Sequence, residues 1–117
     1  MTDRADTGRY GEDAALQYLL KKGYRLLERN YRHGHHEIDI VMRDGQYLVF
    51  VEVKTRTSVQ YGSPAEFVTA KKRRYLILAA EAYMLENKCM DAFGRFDVVE
   101  VFSADGTVNH IRDAFGV

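Results

Sequence analysis

Glu37-Ile38-Asp39-Ile40-Val41-Met42-Arg43-Asp44-Gly45-Gln46-Tyr47-Leu48-Val49-Phe50-Val51-Glu52-Val53-Lys54 is the stretch on which the fold turns. Both halves are rich in β-branched and aromatic residues, and Asp44-Gly45 stands between them. Asp-Gly between two such runs is a hairpin signal, because a two-residue type I′ turn needs positive φ at both central positions. With Asp44-Gly45 as the loop, Asp39 falls opposite Phe50, Glu37 opposite Glu52 and Val41 opposite Leu48. Facing residues share a side of the sheet and alternate residues repeat it. One face then carries Glu37, Asp39, Val41, Leu48, Phe50, Glu52 and Lys54. The other carries Ile38, Ile40, Met42, Tyr47, Val49, Val51 and Val53 and is apolar throughout. The first face is apolar near the turn and charged at its open end, so its charges stand at the edge of something packed.

In that register Asp39 and Glu52 are diagonal neighbours, with Cβ atoms about 7–8 Å apart or slightly less. Two carboxylates converging across such a gap can hold one hard cation, with oxygens roughly 2.0–2.1 Å from Mg²⁺. Lys54 lies two residues further along the same face, where an ammonium can orient a water or accept its proton if a neighbouring cation lowers its pKa. Phosphodiester hydrolysis asks for this combination: a Lewis acid, a positioned water and a cation for the developing charge. Glu-x-Lys alone is common on strand edges as a plain ion pair. The aspartate on the partner strand makes the set more specific.

Outward from the hairpin, residues 8–22 read as a helix with Ala15, Leu16, Leu19 and Leu20 as its apolar stripe and Gly23 as its stop. A strand is expected over 24–30, then a short loop around His33-Gly34-His35. Ser63-Pro64-Ala65-Glu66 has the form of a capping box with proline at the first helical position, and helix is expected from there to residue 86 or 87, with a break near Thr69. Strands over 95–102 and 107–112 come next, joined by Asp105-Gly106. The order is α-β-β-β-α-β-β, an α/β class with a mixed sheet. No linker or repeat interrupts it, so residues 1–117 are expected to form a single domain.

Composition narrows the function classes. Hydrophobic residues make up 46% and charged residues 29%, which argues against a disordered chain. A single cysteine, Cys89, rules out an internal disulfide. The polar start Met1-Thr2-Asp3-Arg4-Ala5-Asp6 and the short apolar runs lead us to expect a cytoplasmic protein with no membrane partner. Net charge is zero, with 17 basic and 17 acidic residues. A nucleic-acid binder usually shows a basic excess, but the block Lys71-Lys72-Arg73-Arg74, with Lys54 and Arg56, can form a local patch.

Glu37-Ile38-Asp39-Ile40-Val41 followed by Val51-Glu52-Val53-Lys54-Thr55-Arg56 resembles the core of the PD-(D/E)xK nuclease superfamily. The resemblance extends to the bacterial YraN-like family through Gly8-Arg9-Tyr10-Gly11-Glu12, Asn30-Tyr31-Arg32, Tyr61-Gly62, Lys71, Arg74 and Arg95-Phe96-Asp97-Val98-Val99, nearly the whole chain. It implies a restriction-endonuclease-like fold, similar to archaeal Holliday-junction resolvases, and a Mg²⁺- or Mn²⁺-dependent endonuclease acting on DNA. RNA and a homodimeric state stay open. On that likeness Asp39 and Glu52 are metal ligands, Lys54 is the catalytic lysine, and Glu12 completes the site. Arg56, Lys71, Lys72, Arg74 and His36 are the residues expected to meet nucleic acid. Two positions depart from the pattern: Ile38 replaces the superfamily's proline before the aspartate, and His36 stands where the family has glycine.

The residues also carry blander readings. Glu12 shares a helical face with Leu16 and Leu19; an ion pair or the helix start can compensate its charge. The sharper reading packs this helix on the charged face of the hairpin. His33, His35 and His36 are read as a polar loop near the active face rather than a zinc site, since zinc ligands usually come from several segments. Tyr75, Tyr83 and Met84 are read as core, while Asp97 is either functional or solvated. The alternatives to a nuclease are a binding module that retains the fold without turnover and a subunit of a DNA-processing assembly.

Overall fold

In the computed structural model, which describes residues 4–56 and 68–116, the hairpin lies inside a five-stranded sheet. The elements are α1 (Arg4–Lys21), β1 (Arg25–His33), β2 (His36–Asp44), β3 (Tyr47–Arg56), α2 (Ala70–Glu86), β4 (Phe93–Phe102) and β5 (Val108–Phe115). Strand order follows the sequence, with β3 and β4 parallel and every other pair antiparallel. A parallel pair needs a long crossover, and α2 lies within it. This is the expected α-β-β-β-α-β-β arrangement of a restriction-endonuclease-like domain. No helix among the described residues is long and apolar enough to cross a membrane.

The sheet buries both faces. On one side α2 lays Leu76, Ala79, Ala80 and Tyr83 against Tyr31, Val41, Leu48, Phe50, Phe96, Val98 and Phe115. On the other, α1 lays Ala15, Leu16 and Leu19 against Ile40, Met42, Val49, Val51, Val99 and Val101. The helix α1 therefore packs on the apolar face of the hairpin, not on the charged one as expected. The physical reason is that the all-apolar face offers α1 an unbroken surface, and hydrophobic burial outweighs any draw of one glutamate to the acidic end. Leu20 falls outside the buried stripe and is exposed.

The hairpin register differs by two residues from that expected: Val41 pairs with Phe50, Arg43 with Leu48 and Asp44 with Tyr47. The loop is Gly45-Gln46, and of the two only Gly45 has positive φ (58°), the glycine-first requirement of type II′ turns. Keeping Asp44 in the strand lets its carboxylate accept from Arg95 Nη1 at 3.0 Å. A slip of two leaves the side chains from Ile40 to the turn, and those of β3, on their expected faces. It also moves Asp39 from a diagonal position to one level with Glu52, one step beyond the last ladder pair, Ile40↔Val51.

Alternation along β2 breaks at Asp39. Ile40 and Met42 lie under α1, yet Ile38 belongs to the core under α2. Across the β1–β2 ladder, between the pairs Arg29↔Ile40 and Tyr31↔Ile38, stands Asn30 with φ 52°. A left-handed residue, which asparagine tolerates better than most, turns the strand there and re-aims the residues beyond it. The sheet changes face where the candidate site begins.

The helix α2 starts at Ala70, with the Thr69 side chain accepting from Lys72 N, so the expected break near Thr69 is the helix's N-cap. The proposed cap at Ser63-Pro64 and the motif Tyr61-Gly62 lie outside the described residues.

Candidate functional site

The strands β2 and β3 part at Asp39. The last ladder pair is Ile40↔Val51, and beyond it the Val53 amide donates to Asp39 Oδ2 at 2.8 Å. The side chain thus takes a ladder hydrogen bond, which fixes its carboxylate in the gap between strands. Glu52, next to Val53, is buried at 7% exposure. Its Oε1 lies 4.0 Å from Lys54 Nζ and 3.8 Å from Lys72 Nζ, while its Oε2 is buried with no hydrogen-bond partner.

The electrostatics arise from that packing. Burial, then the charge of Glu52, with Glu12 and Glu37 behind it, pushes Asp39 up to about 8 against the opposing Val53 amide. Burial raises Glu52 as well, with Lys72, Lys54 and a hydrogen bond with the Asp39 carboxyl working the other way. Two carboxylates this close cannot both ionise cheaply, so burial and mutual repulsion hold the pair above the usual carboxylate range.

Glu12 reaches the rim of this pair from α1. Asn30 Nδ2 donates to Glu12 Oε1 at 2.9 Å and to Glu37 Oε1 at 3.0 Å, and Arg29 Nη2 lies 3.7 Å from Glu12. The left-handed Asn30 thus holds two of the surrounding glutamates. Gly11, one residue before Glu12, lets α1 approach β3: a Cβ there would stand 1.8 Å from Thr55 Oγ1.

The chemistry of the donors fits a hard divalent ion in part. Glu52 has a buried oxygen that no nitrogen or hydroxyl donor reaches, beside a second carboxyl, and such a group favours a cation as partner. Among the described residues no three His, Cys, Asp or Glu side chains converge tightly enough to hold an ion, Glu12 included. Two carboxylates with the remaining positions left to water and phosphate suit Mg²⁺, which is seldom caged by protein alone. His33 ends β1 and His36 begins β2 as a ladder pair, so of the expected polar loop only Gly34-His35 is a turn.

The expected nucleic-acid residues divide. His36 stacks on Tyr75 with ring centroids 4.3 Å apart, and Lys71 Nζ stands 5.8 Å from the Tyr75 ring centre. Lys72 faces Glu52, and these groups gather at the mouth of the site. Arg74 is exposed on α2, whereas Arg56 is tied to buried Glu100 at 3.3 Å. Tyr75 is a correction: it is exposed rather than core, because Leu76, Ala79, Ala80 and Tyr83 define the inward face of α2 and Tyr75 falls beside it. Tyr83 is core as expected, and Met84 packs against it partly buried.

The profile described as uncharacterised protein family UPF0102 matches residues 11–101, a span that holds every residue of this site. The chain belongs to the UPF0102 family. A UPF0102 protein of Chlorobium phaeobacteroides is 45% identical over 92% of the chain and 86% of its own length. One from Clostridioides difficile is 42% identical over 94% and 96%, and one from Rhodococcus opacus is 41% identical over 92% and 94%.

Within this UPF0102 chain, sequence reasoning gave no role to Asn30 and passed over Glu100. It also left Asp97 undecided. Asp97 is fully buried, so the solvated reading fails. It accepts from Arg95 Nε at 2.9 Å and the Asp113 amide at 3.1 Å, and His110 Nε2 lies 2.7 Å away. Burial alone would raise Asp97, but these partners hold it below the usual carboxylate range. Tyr24 and Asp44 close the network around Arg95. Asp97 is level with Val51 on the face under α1, so the group braces the turn end of the sheet. An Arg-x-Asp pair inside a mostly apolar strand was the available signal, since a buried charge requires a partner.

Proposed function

We infer that this chain is a divalent-metal-dependent endonuclease that hydrolyses DNA phosphodiester bonds, with Asp39 and Glu52 as the ligands of Mg²⁺ or Mn²⁺. The observation that carries the reading is a buried Glu52 carboxylate, whose Oε2 has no nitrogen or hydroxyl donor, level with a second carboxyl whose pKa is raised to about 8. Such an arrangement is costly for a metal-free protein and favourable for one that takes up a cation. When bound, the ion supplies Lewis-acid polarisation of a phosphoryl group and a more acidic water. Asp39 is oriented for its part by the Val53 amide. Lys54, 4.0 Å from Glu52, stands where it can orient the attacking water and balance charge on the scissile phosphate. Glu12, whose charge bears on Asp39, would be the third acidic group of the set. Lys71, Lys72, Arg74 and His36, with Arg56 at the end of β3, are the groups for the nucleic-acid backbone. DNA is the proposed substrate, branched structures and junctions included, on the strength of the restriction-endonuclease-like fold and the resolvase resemblance.

A non-catalytic DNA-binding module or assembly subunit is the second reading, favoured by the absence of a third converging ligand among the described residues. Calorimetric titration with Mn²⁺ separates the two. The nuclease reading expects one binding event in the wild type that Glu52→Gln abolishes; no heat of binding in the wild type would favour the non-catalytic module.

A further inference from the structure

Glu52 is approached by two ammonium groups on the same oxygen, and neither is within hydrogen-bonding range: Lys54 Nζ is 4.0 Å and Lys72 Nζ 3.8 Å from Oε1. A committed ammonium–carboxylate pair closes to roughly 2.7–2.9 Å. These are loose charge partners, and they are held differently. Lys54 rides on the same strand as Glu52 and is 25% exposed; Lys72 comes from the first turn of α2 and is 44% exposed. Lys72 also lines a small hollow of about 80 Å³ with His35, His36, Glu37, Tyr75 and Leu76. At about 30 Å³ per water, that hollow has room for two or three water molecules. Lys72 therefore borders both the buried carboxylate and a hollow at the mouth of the site.

We propose that Lys72 is an exchangeable counter-ion, which balances Glu52 in the metal-free protein and turns into the His36–Tyr75 hollow to take a DNA phosphate once a divalent ion claims that carboxylate. The inference rests on the metal site of the proposed function. Two ammonium groups and a divalent cation around one carboxylate repel one another, and the more exposed ammonium yields. Lys54, carried by the strand, stays. An ammonium released beside the site is a ready phosphate ligand, so filling the metal position and gripping the substrate become coupled through one side chain.

Calorimetry with Mn²⁺ on wild type, Lys72→Met and Lys72→Arg tests the first half. Lys72→Met, which keeps the stem, should bind Mn²⁺ up to ~5-fold more tightly, the worth of one exposed ion pair, and Lys72→Arg should match the wild type. The second half is read in the Lys54→Ala background, so that DNA stays intact. There Lys72→Met should lower the salt slope of DNA binding by roughly one unit with Mn²⁺ present and leave it unchanged without the ion. Equal or weaker Mn²⁺ affinity in Lys72→Met overturns the counter-ion role alone. A slope that falls equally with and without Mn²⁺ overturns the exchange. Absence of Mn²⁺ binding in all three proteins overturns the metal site itself and this inference with it.

Discussion

In Asp39→Asn the carboxylate at the parting of β2 and β3 becomes a neutral amide of the same shape, still able to accept the Val53 N–H. The native aspartate titrates at about 8 against an ordinary 3.8, with burial and the charge of Glu52 as the main causes. At ~1.36 kcal/mol per pKa unit, a shift of about four units sets a ceiling of roughly 6 kcal/mol on the cost of that charge. Water reaches the half-buried rim and relaxes part of it, so we expect asparagine to stabilise the metal-free protein by ~1–3 kcal/mol above pH 8. That corresponds to roughly 3–15 °C in Tm for a domain of this length. The sign comes from proton binding: between about pH 4 and 8 the native state holds a proton that the unfolded chain has released, so wild-type stability falls as pH rises. Below about pH 4 both states are protonated and the two proteins converge. Excess Mn²⁺ should reverse the order, raising the wild type by ~2.7 kcal/mol at a hundred times its Kd and the variant hardly at all. Thermal unfolding at pH 4.5, 6.5 and 8.5, with and without Mn²⁺, reads every part. An Asp39→Asn protein less stable than wild type at pH 8.5 without metal, or a gap that does not grow with pH, refutes the reasoning.

Lys54→Ala should keep Mn²⁺ binding by calorimetry while cleavage falls ~10²–10⁴-fold, the usual worth of a positioned proton-transfer group. Gly11→Ala places a Cβ 1.8 Å from Thr55 Oγ1 and should cost ~1–3 kcal/mol by denaturant unfolding. Adding Thr55→Ala should recover much of that loss, whereas additive effects would show that the contact is not what limits the helix. Arg95→Met leaves Asp97 buried without its guanidinium and should cost ~3–5 kcal/mol. Because the native Asp97 pKa is depressed, its contribution is present above the ordinary carboxylate range and lost as pH falls through the native value; Asp97→Asn should flatten that acid limb of the stability profile.

The order of elements was legible because each rests on a local pattern: the Val- and Ile-rich hairpin, the stripe of Ala15, Leu16 and Leu19, and Gly23 at the helix stop. Asp39, Glu52 and Lys54 were legible as a group for the same reason, since a slip of two residues preserves the faces of a strand. What stayed hidden was set by contacts between distant segments. The register depends on Asp44 reaching Arg95, 51 residues away. The inverted alternation at Ile38 depends on a left-handed Asn30 in the neighbouring strand. The seat of α1 was set by total apolar area rather than by the single charge of Glu12. Tyr75 was misplaced because periodicity fixes which residues share a helical face and leaves open how far the core extends across it; the neighbour that takes its ring, His36, comes from another strand.

Incubation of the purified protein with duplex, single-stranded and four-way DNA, in Mg²⁺ and in Mn²⁺, tests the central claim most directly. We expect cleavage of at least one substrate that requires the divalent ion, stops on chelation and disappears in Glu52→Gln. Intact DNA in every arm, or cleavage that persists in Glu52→Gln, would contradict a nuclease centred on Asp39 and Glu52.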